Sequence, residues 1–419
     1  MIEEEILSFL KNQDMIFCYG AGVYGRIVKS YLVEKGVKVD SFVVSEKDVA
    51  DITILDIPVR KASELDAIER KGAFLLTLSP KFQNDVISNL NNLGIENYLA
   101  LDEKIVQIMD EKCSYDTIPK QSGAKILLYH RVSKLKNDIW KLANNPESFK
   151  KQMCYLKQNY EIVKFEELDF SEKQNRVAIT FDDGYFDNYE YALPILEELR
   201  IPAVVFVATG HIGTSKEFWW DELERMIFDN ADCPSKINVL GKKYILNSCE
   251  SKTMACYDLR EKILLMDYDS RKEFMKELSC VTGDNGTPRL YNRSLTVNEL
   301  RRLDASPFIT IGGHTVTHTR LTSQTKEQKQ WEISQSKKEL ERLLGHEIDV
   351  FSYPFGGYDD YDIETIECVK AAGYKRIAAV QKKYFNTENV EYNPNRIVIQ
   401  ERDGVVFCER EFRRLLILK

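Results

Sequence analysis

Two adjacent carboxylates, Asp182 and Asp183, close the run Thr180-Phe181-Asp182-Asp183-Gly184-Tyr185. Val177-Ala178-Ile179 precede it, so an apolar strand opens into a polar site at its C-terminal end. Neighbouring carboxylates repel each other and are costly to desolvate. A divalent cation relieves both effects by holding one as a ligand and leaving the other free as a general base. Asp-Asp-Gly taken alone also suits a plain turn. A second feature shifts the balance towards a metal. Ile309-Thr310-Ile311-Gly312-Gly313 leads into His314-Thr315-Val316-Thr317-His318. Histidines four apart suit one ion on a helix or a loop, and the surrounding glycines and β-branched residues argue for a strand end or loop.

Together, Thr180–Tyr185 and His314–His318 resemble the first two motifs of the polysaccharide deacetylases, the carbohydrate esterase group with the NodB homology domain. Ser352-Tyr353-Pro354-Phe355-Gly356 is similar to the third. The resemblance runs from about Lys125 to the C-terminus. It implies Asp183, His314 and His318 as metal ligands, with an open position of the kind a catalytic zinc site needs. It also implies Asp182 as the base and a backbone N–H near Phe355 as the oxyanion donor. Two departures stand out. The family's arginine two residues before the proline is Ser352 here, and no late histidine follows Arg396. The biofilm poly-N-acetylglucosamine deacetylases share both departures and draw the acid from an early Tyr-His. Tyr129-His130 matches that position, which makes His130 the expected acid and Arg396 the expected partner of Asp182. His211 and His346 carry no comparable case.

Elements must bring these residues to one place. Strands are expected at Lys125–Tyr129, Glu161–Lys164, Val177–Phe181, Ala203–Ala208, Val350–Tyr353, Arg376–Val380 and Arg396–Gln400. Helices near Ser148–Gln158, Tyr189–Arg200, Lys326–Leu344 and Ile363–Ala372 alternate with them. Such alternation predicts a (β/α) barrel, by resemblance a distorted one of NodB type, with chemistry at the C-terminal strand ends. His130, Asp182, Asp183, His314 and Pro354 all fall at such ends. Residues 212–295 break the alternation and form a helical insertion. Its Trp219 and Trp220 suit either stacking on sugar rings or packing of insertion on barrel.

Residues 1–110 form a separate module. Met15–Tyr19 is an expected strand, Gly20-Ala21-Gly22-Val23-Tyr24-Gly25 a glycine turn into a helix reaching Lys35, and Val39–Val44 the next strand. This pattern predicts a Rossmann-like unit in which Gly20, Gly22 and Gly25 would let phosphates approach and Glu46 is the expected ribose contact. It admits a nucleotide or nucleotide-sugar, or a turn kept for packing alone. Residues 111–124 are a polar linker.

Composition bounds the remainder. The chain has 419 residues, 43% hydrophobic, with net charge −8. That fits a soluble globular protein, and the acidic balance argues against a nucleic-acid partner. Nine cysteines without a C-x-x-C pair favour reduced thiols and the cytoplasm. The acidic start is not a secretory signal, and no apolar run spans a membrane. The resemblance implies a metal-dependent carbohydrate N-deacetylase, with zinc the expected ion, and the cytoplasmic setting points to a nucleotide- or lipid-linked acetamido sugar of a surface polysaccharide as its substrate. Hydrolysis of another amide or ester, or silent sugar binding, are the alternatives.

Overall fold

The computed structural model describes residues 2–45, 53–116, 124–169, 175–381, 396–401 and 407–418. The chain divides into two compact units, Met1–Ser122 together with Cys408–Lys419, and Gly123–Phe407.

The first unit is built on strands β1 (Ile16–Tyr19), β2 (Ser41–Val44), β3 (Thr53–Ile54), β4 (Ile57–Lys61), β5 (Ala73–Leu76) and β6 (Tyr98–Ala100). Their order is β3-β4-β2-β1-β5-β6, parallel throughout except for the β3–β4 hairpin. Every residue of β1 and β5 is buried, as central parallel strands covered on both faces require. The expected glycine turn follows β1. Gly20 lies at φ 113, and a Cβ on Gly25 would sit 1.9 Å from the Gly20 carbonyl oxygen. The helix Val23–Glu34 can therefore pack on the strand only with glycine there. Glu46 lies outside the described residues.

One boundary needs correction. The sequence groups 125–419 as one unit, whereas residues 408–419 belong with the first. In the helix Glu409–Leu418, Phe412, Leu416, Ile417 and Leu418 are buried. Arg410 donates to the Cys113 carbonyl at 2.8 Å, and Arg414 pairs with Asp110.

The second unit contains β7 (Lys125–Tyr129), β8 (Arg131–Val132), β9 (Ala143–Asn144), β10 (Glu161–Ile162), β11 (Arg176–Phe181) and β12 (Ala203–Val207). It continues with β13 (Lys236–Val239), β14 (Lys242–Ile245), β15 (Ile309–Gly313), β16 (Val350–Ser352), β17 (Arg376–Ala378) and β18 (Ile397–Val398). The main sheet runs β17-β16-β15-β12-β11-β7-β18, with β10 beside β11. All of its pairings are parallel. The expected distorted (β/α) barrel is realised as a curled parallel half-barrel sheet, with β17 and β18 at its ends among the described residues. Register levels the strand ends: Phe181 pairs with both Tyr129 and Val205, and Val207 pairs with Gly313. The next residue of β7, β11 and β15 is then His130, Asp182 or His314, all on one rim.

The insertion has its own apolar core, including Phe218, Leu223, Ile227, Leu259 and Leu278. It is not purely helical as expected. Besides the helices Trp219–Glu224, Cys249–Ile263 and Tyr268–Thr282, it holds the antiparallel β13–β14 hairpin. Buried Arg131 of β8 links the insertion to the segment after β11, donating to Asn292 at 2.6 Å and to Asp187 at 2.8 Å.

Candidate active site

Asp183 follows β11 at φ 76, a left-handed conformation that is costly for a residue with a side chain. That conformation belongs to a ligand cluster. His318 Nε2 lies 3.0 Å from Asp183 Oδ1, and His314 Nε2 lies 3.5 Å from the same oxygen. The donor atoms of Asp183, His314 and His318 all fall within 4.8 Å of one another, and all three residues are buried. His314 Nδ1 is 2.8 Å from the Ser352 carbonyl. That carbonyl only accepts, so Nδ1 carries the proton and Nε2 presents its lone pair inward. His314 Nε2 has no hydrogen-bond partner among the described residues. One carboxylate and two imidazoles converging on a buried, unsatisfied nitrogen fit a divalent cation.

The loop carrying these ligands is held from outside. Thr315 and His318 lie at φ 64 and 48. Glu332, on the helix Lys326–Leu344, accepts the Val316 and Thr317 amides at 2.8 and 2.9 Å and the Thr317 hydroxyl as well. From the insertion, Arg271 donates to the Thr317 carbonyl at 3.0 Å. The His318 ring meets Trp220 and Phe355, with centroids at 4.6 and 4.8 Å. Burial lowers the His318 pKa more than the adjacent Asp183 raises it, so the imidazole is neutral at neutral pH, as a ligand must be.

Asp182 has a different partner. Arg396 donates to its two oxygens at 2.7 Å each, and also donates to the Ser352 hydroxyl at 2.7 Å. That hydroxyl in turn donates to Asp182 at 3.3 Å. Burial pushes the Asp182 carboxyl up, but Arg396 and His314 more than reverse this and hold it below the usual carboxylate range. Asp183 is also held low, with burial outweighed by His318 and His314.

These groups border a cavity of about 530 Å³, lined also by His130, Trp219, Trp220, Tyr257 and Phe355. The His130 backbone is fixed by Asn188, whose amide donates to its carbonyl at 2.9 Å. Phe355 lies at φ 61, in a turn closed by the Val380 and Gln381 amides, each 2.9 Å from the Gly356 carbonyl. The Phe355 N–H donates to no backbone carbonyl among the described residues.

The structure thus brings His130, Asp182, Asp183, His314, His318 and Phe355 to one cavity, with Arg396 behind Asp182. Gly20, Gly22 and Gly25 lie in the other unit. His346 is exposed and bound to Asp304 at 2.9 Å. Trp219 and Trp220 are only 6% and 5% exposed. Trp220 stacks on Phe218 at 4.7 Å and donates to the Tyr185 hydroxyl at 2.8 Å, which is the packing role. Nothing in the sequence marks Glu332 and Arg271 as site residues, and Ser352 shows there only as the absence of an arginine. A serine, a glutamate and an arginine carry no spacing signal when their partners are distant in the chain.

The polysaccharide deacetylase family model matches residues 170–232 and 271–377. The interval between these stretches holds the β13–β14 hairpin and the helix Cys249–Ile263. YxkH of Bacillus subtilis (strain 168), which bears the polysaccharide deacetylase name, is 24% identical over 284 residues, 65% of this chain and 71% of its own length. The poly-beta-1,6-N-acetyl-D-glucosamine N-deacetylase of Staphylococcus aureus (strain MSSA476) is 30% identical over 151 residues, 32% of this chain and 52% of that protein. The aligned region thus spans about half the length of that relative. Among solved structures, IcaB from Ammonifex degensii is similar, with 16% identity, 71% of this chain and 97% of that chain covered, and a TM-score of 0.43. The chain carries a polysaccharide deacetylase domain.

Proposed function

We propose that this chain is a metal-dependent hydrolase that removes N-acetyl groups from an acetamido sugar. The observation that carries the reading is the convergence of Asp183, His314 and His318 beside an arginine-held Asp182 in one cavity. A divalent cation held by these three residues, zinc foremost, supplies a Lewis acid that polarises the amide carbonyl and acidifies water. Asp182, kept ionised by Arg396, takes the proton of the attacking water. The Phe355 N–H donates to the oxygen that gains charge in the tetrahedral transition state. His130, on the same cavity, gives a proton to the departing sugar nitrogen. Free acetate and a sugar amine result.

The substrate in this reading is a nucleotide- or lipid-linked intermediate of a surface polysaccharide. A cytoplasmic setting is supported by the cysteines, which stand as free thiols. In the first unit, a Rossmann-like module, space is open over Gly22, where an added Cβ would meet nothing within 4 Å. Gly20 and Gly25 serve close packing. That opening supports a phosphate-bearing nucleotide or nucleotide sugar at the turn, with Glu46 as the ribose contact. Calorimetry with nucleotides tests this module, and an absence of heat assigns the turn to packing.

The test of the activity is mass spectrometry of N-acetylglucosamine oligomers and nucleotide-linked acetamido sugars after incubation with zinc-loaded protein. Loss of acetyl mass with wild type but not with Asp182→Asn is expected. Intact substrates throughout would refute the reading.

A further inference from the structure

A second cavity of about 510 Å³ lies within the Gly123–Phe407 unit, and Trp219 lines both it and the candidate active site. Its chemistry differs from the first. Lys216, Arg271, Lys272 and Lys276 line it and form no ion pair among the described residues. The carboxylates Glu217 and Asp284, also on its wall, are both spent on Arg225. Glu222 remains, and burial pushes its pKa up to about 7, so it offsets the basic groups only in part near neutral pH. Arg271 is 6% exposed; its hydrogen bonds go to the Thr317 and His318 carbonyls and its guanidinium lies 5.6 Å over the Tyr268 ring, so it feels the Glu332 and Glu222 charges without bonding to either carboxylate. Two further polar atoms on the wall are buried without partners among the described residues, His211 Nδ1 and Trp219 Nε1. Buried polar atoms are ordinarily satisfied, so a wall with two unsatisfied ones has room for a polar ligand. At the rim, Tyr268 and Trp331 leave 40% and 51% of their surfaces exposed.

Cations without a bonded carboxylate beside partly exposed aromatic rings match a ring that carries an oxyanion. We propose that this cavity binds a sugar bearing a phosphate or a carboxylate, the anion against Arg271, Lys272 and Lys276 and the ring against Trp331 and Tyr268. Such a site lets the domain hold a charged residue of its glycan or carrier apart from the acetamide it hydrolyses. The proposal goes beyond the deacetylase reading and does not need it, since binding is measured without turnover.

Calorimetry tests it on the full chain with Asp183→Asn, which disables the candidate metal site and so removes phosphate binding to an ion there. Asparagine tolerates the left-handed backbone at that position. N-acetylglucosamine 1-phosphate, glucuronate, inorganic phosphate and neutral N-acetylglucosamine are the probes. At least one of the two charged sugars should bind, more tightly than inorganic phosphate or N-acetylglucosamine. Whichever charged sugar is tighter identifies the oxyanion. Lys272→Gln with Lys276→Gln should weaken that binding about tenfold or more, and Trp331→Ala should weaken it independently. No heat from either charged sugar would overturn the proposal. So would affinities unchanged by the lysine substitutions, or phosphate binding as tightly as its sugar ester.

Discussion

Asp182 and Arg396 are both buried, and each neutralises the other through paired 2.7 Å bonds. Removing the guanidinium strands a carboxylate in the protein interior. Arg396→Gln should therefore cost about 3–5 kcal/mol of stability, read by denaturant unfolding. The sign of the pH effect follows from the same pair. Burial raises the Asp182 pKa, but Arg396 wins and the folded value is depressed. The stability it contributes is present above the unfolded pKa and is lost as pH falls through the folded one. Without Arg396 the folded pKa rises, so the acid limb of kcat/KM should move to higher pH. An unmoved limb would assign it to another group. The expected acid has its own signature: His130→Ala should lower turnover by about 10²–10⁴-fold with metal content unchanged. Turnover near wild type would remove His130 from the mechanism. At this scale the sequence was legible where chemistry forces residue types into short spacing, as in Asp182-Asp183 and His314-x-x-x-His318. Ser352 was read only as a missing arginine. Its hydroxyl joins the Asp182–Arg396 pair from 170 and 44 residues away, and such a contact exists only after folding.

The ligand loop depends on the long charged helix beside it, whose sequence shows no sign of that role. The helix Lys326–Leu344 does present charge outward, yet Glu332 points inward and gathers the Val316 and Thr317 amides. Burial pushes its pKa up, although Thr317 and Val316 oppose the rise. Glu332→Ala would leave those amides unsatisfied at about 1–3 kcal/mol each. Zinc affinity should fall and the thermal midpoint drop together, and a melt that drops with affinity intact would show that the loop is set by other contacts. The main strands were legible because apolar runs terminate in polar, chemistry-bearing residues. The hairpins were not. β3–β4 turns through Leu55 and Asp56 at φ 50 and 62, and β13–β14 through Leu240 and Gly241 at φ 49 and 69. Both are two-residue left-handed turns, but a leucine in first position hides the Asn-Gly type of signal by which such turns are recognised.

At the scale of the whole molecule, the chain ends in the unit where it begins. An amphipathic helix such as Glu409–Leu418 shows its apolar face in sequence but not the surface that receives it. Here Ile417 and Leu418 join the apolar cluster that also holds Ile6, Val28 and Val106. A chain ending at Phe407 would lose the burial of Phe412, Leu416 and Ile417, worth about 1.5–3 kcal/mol each. It should melt earlier in its first transition while acetate release persists, and simultaneous loss of both would show that the Gly123–Phe407 unit relies on that helix. The central claim, however, rests on Asp183, His314 and His318 acting as one metal site. Its most direct test is metal content by mass spectrometry, measured beside acetate release, on wild type and His314→Ala after chelation and titration with zinc. Wild type should regain a single tightly held ion and its activity in step, and His314→Ala should regain neither. Acetate release that survives chelation in full, or zinc retained as tightly by His314→Ala, would contradict it.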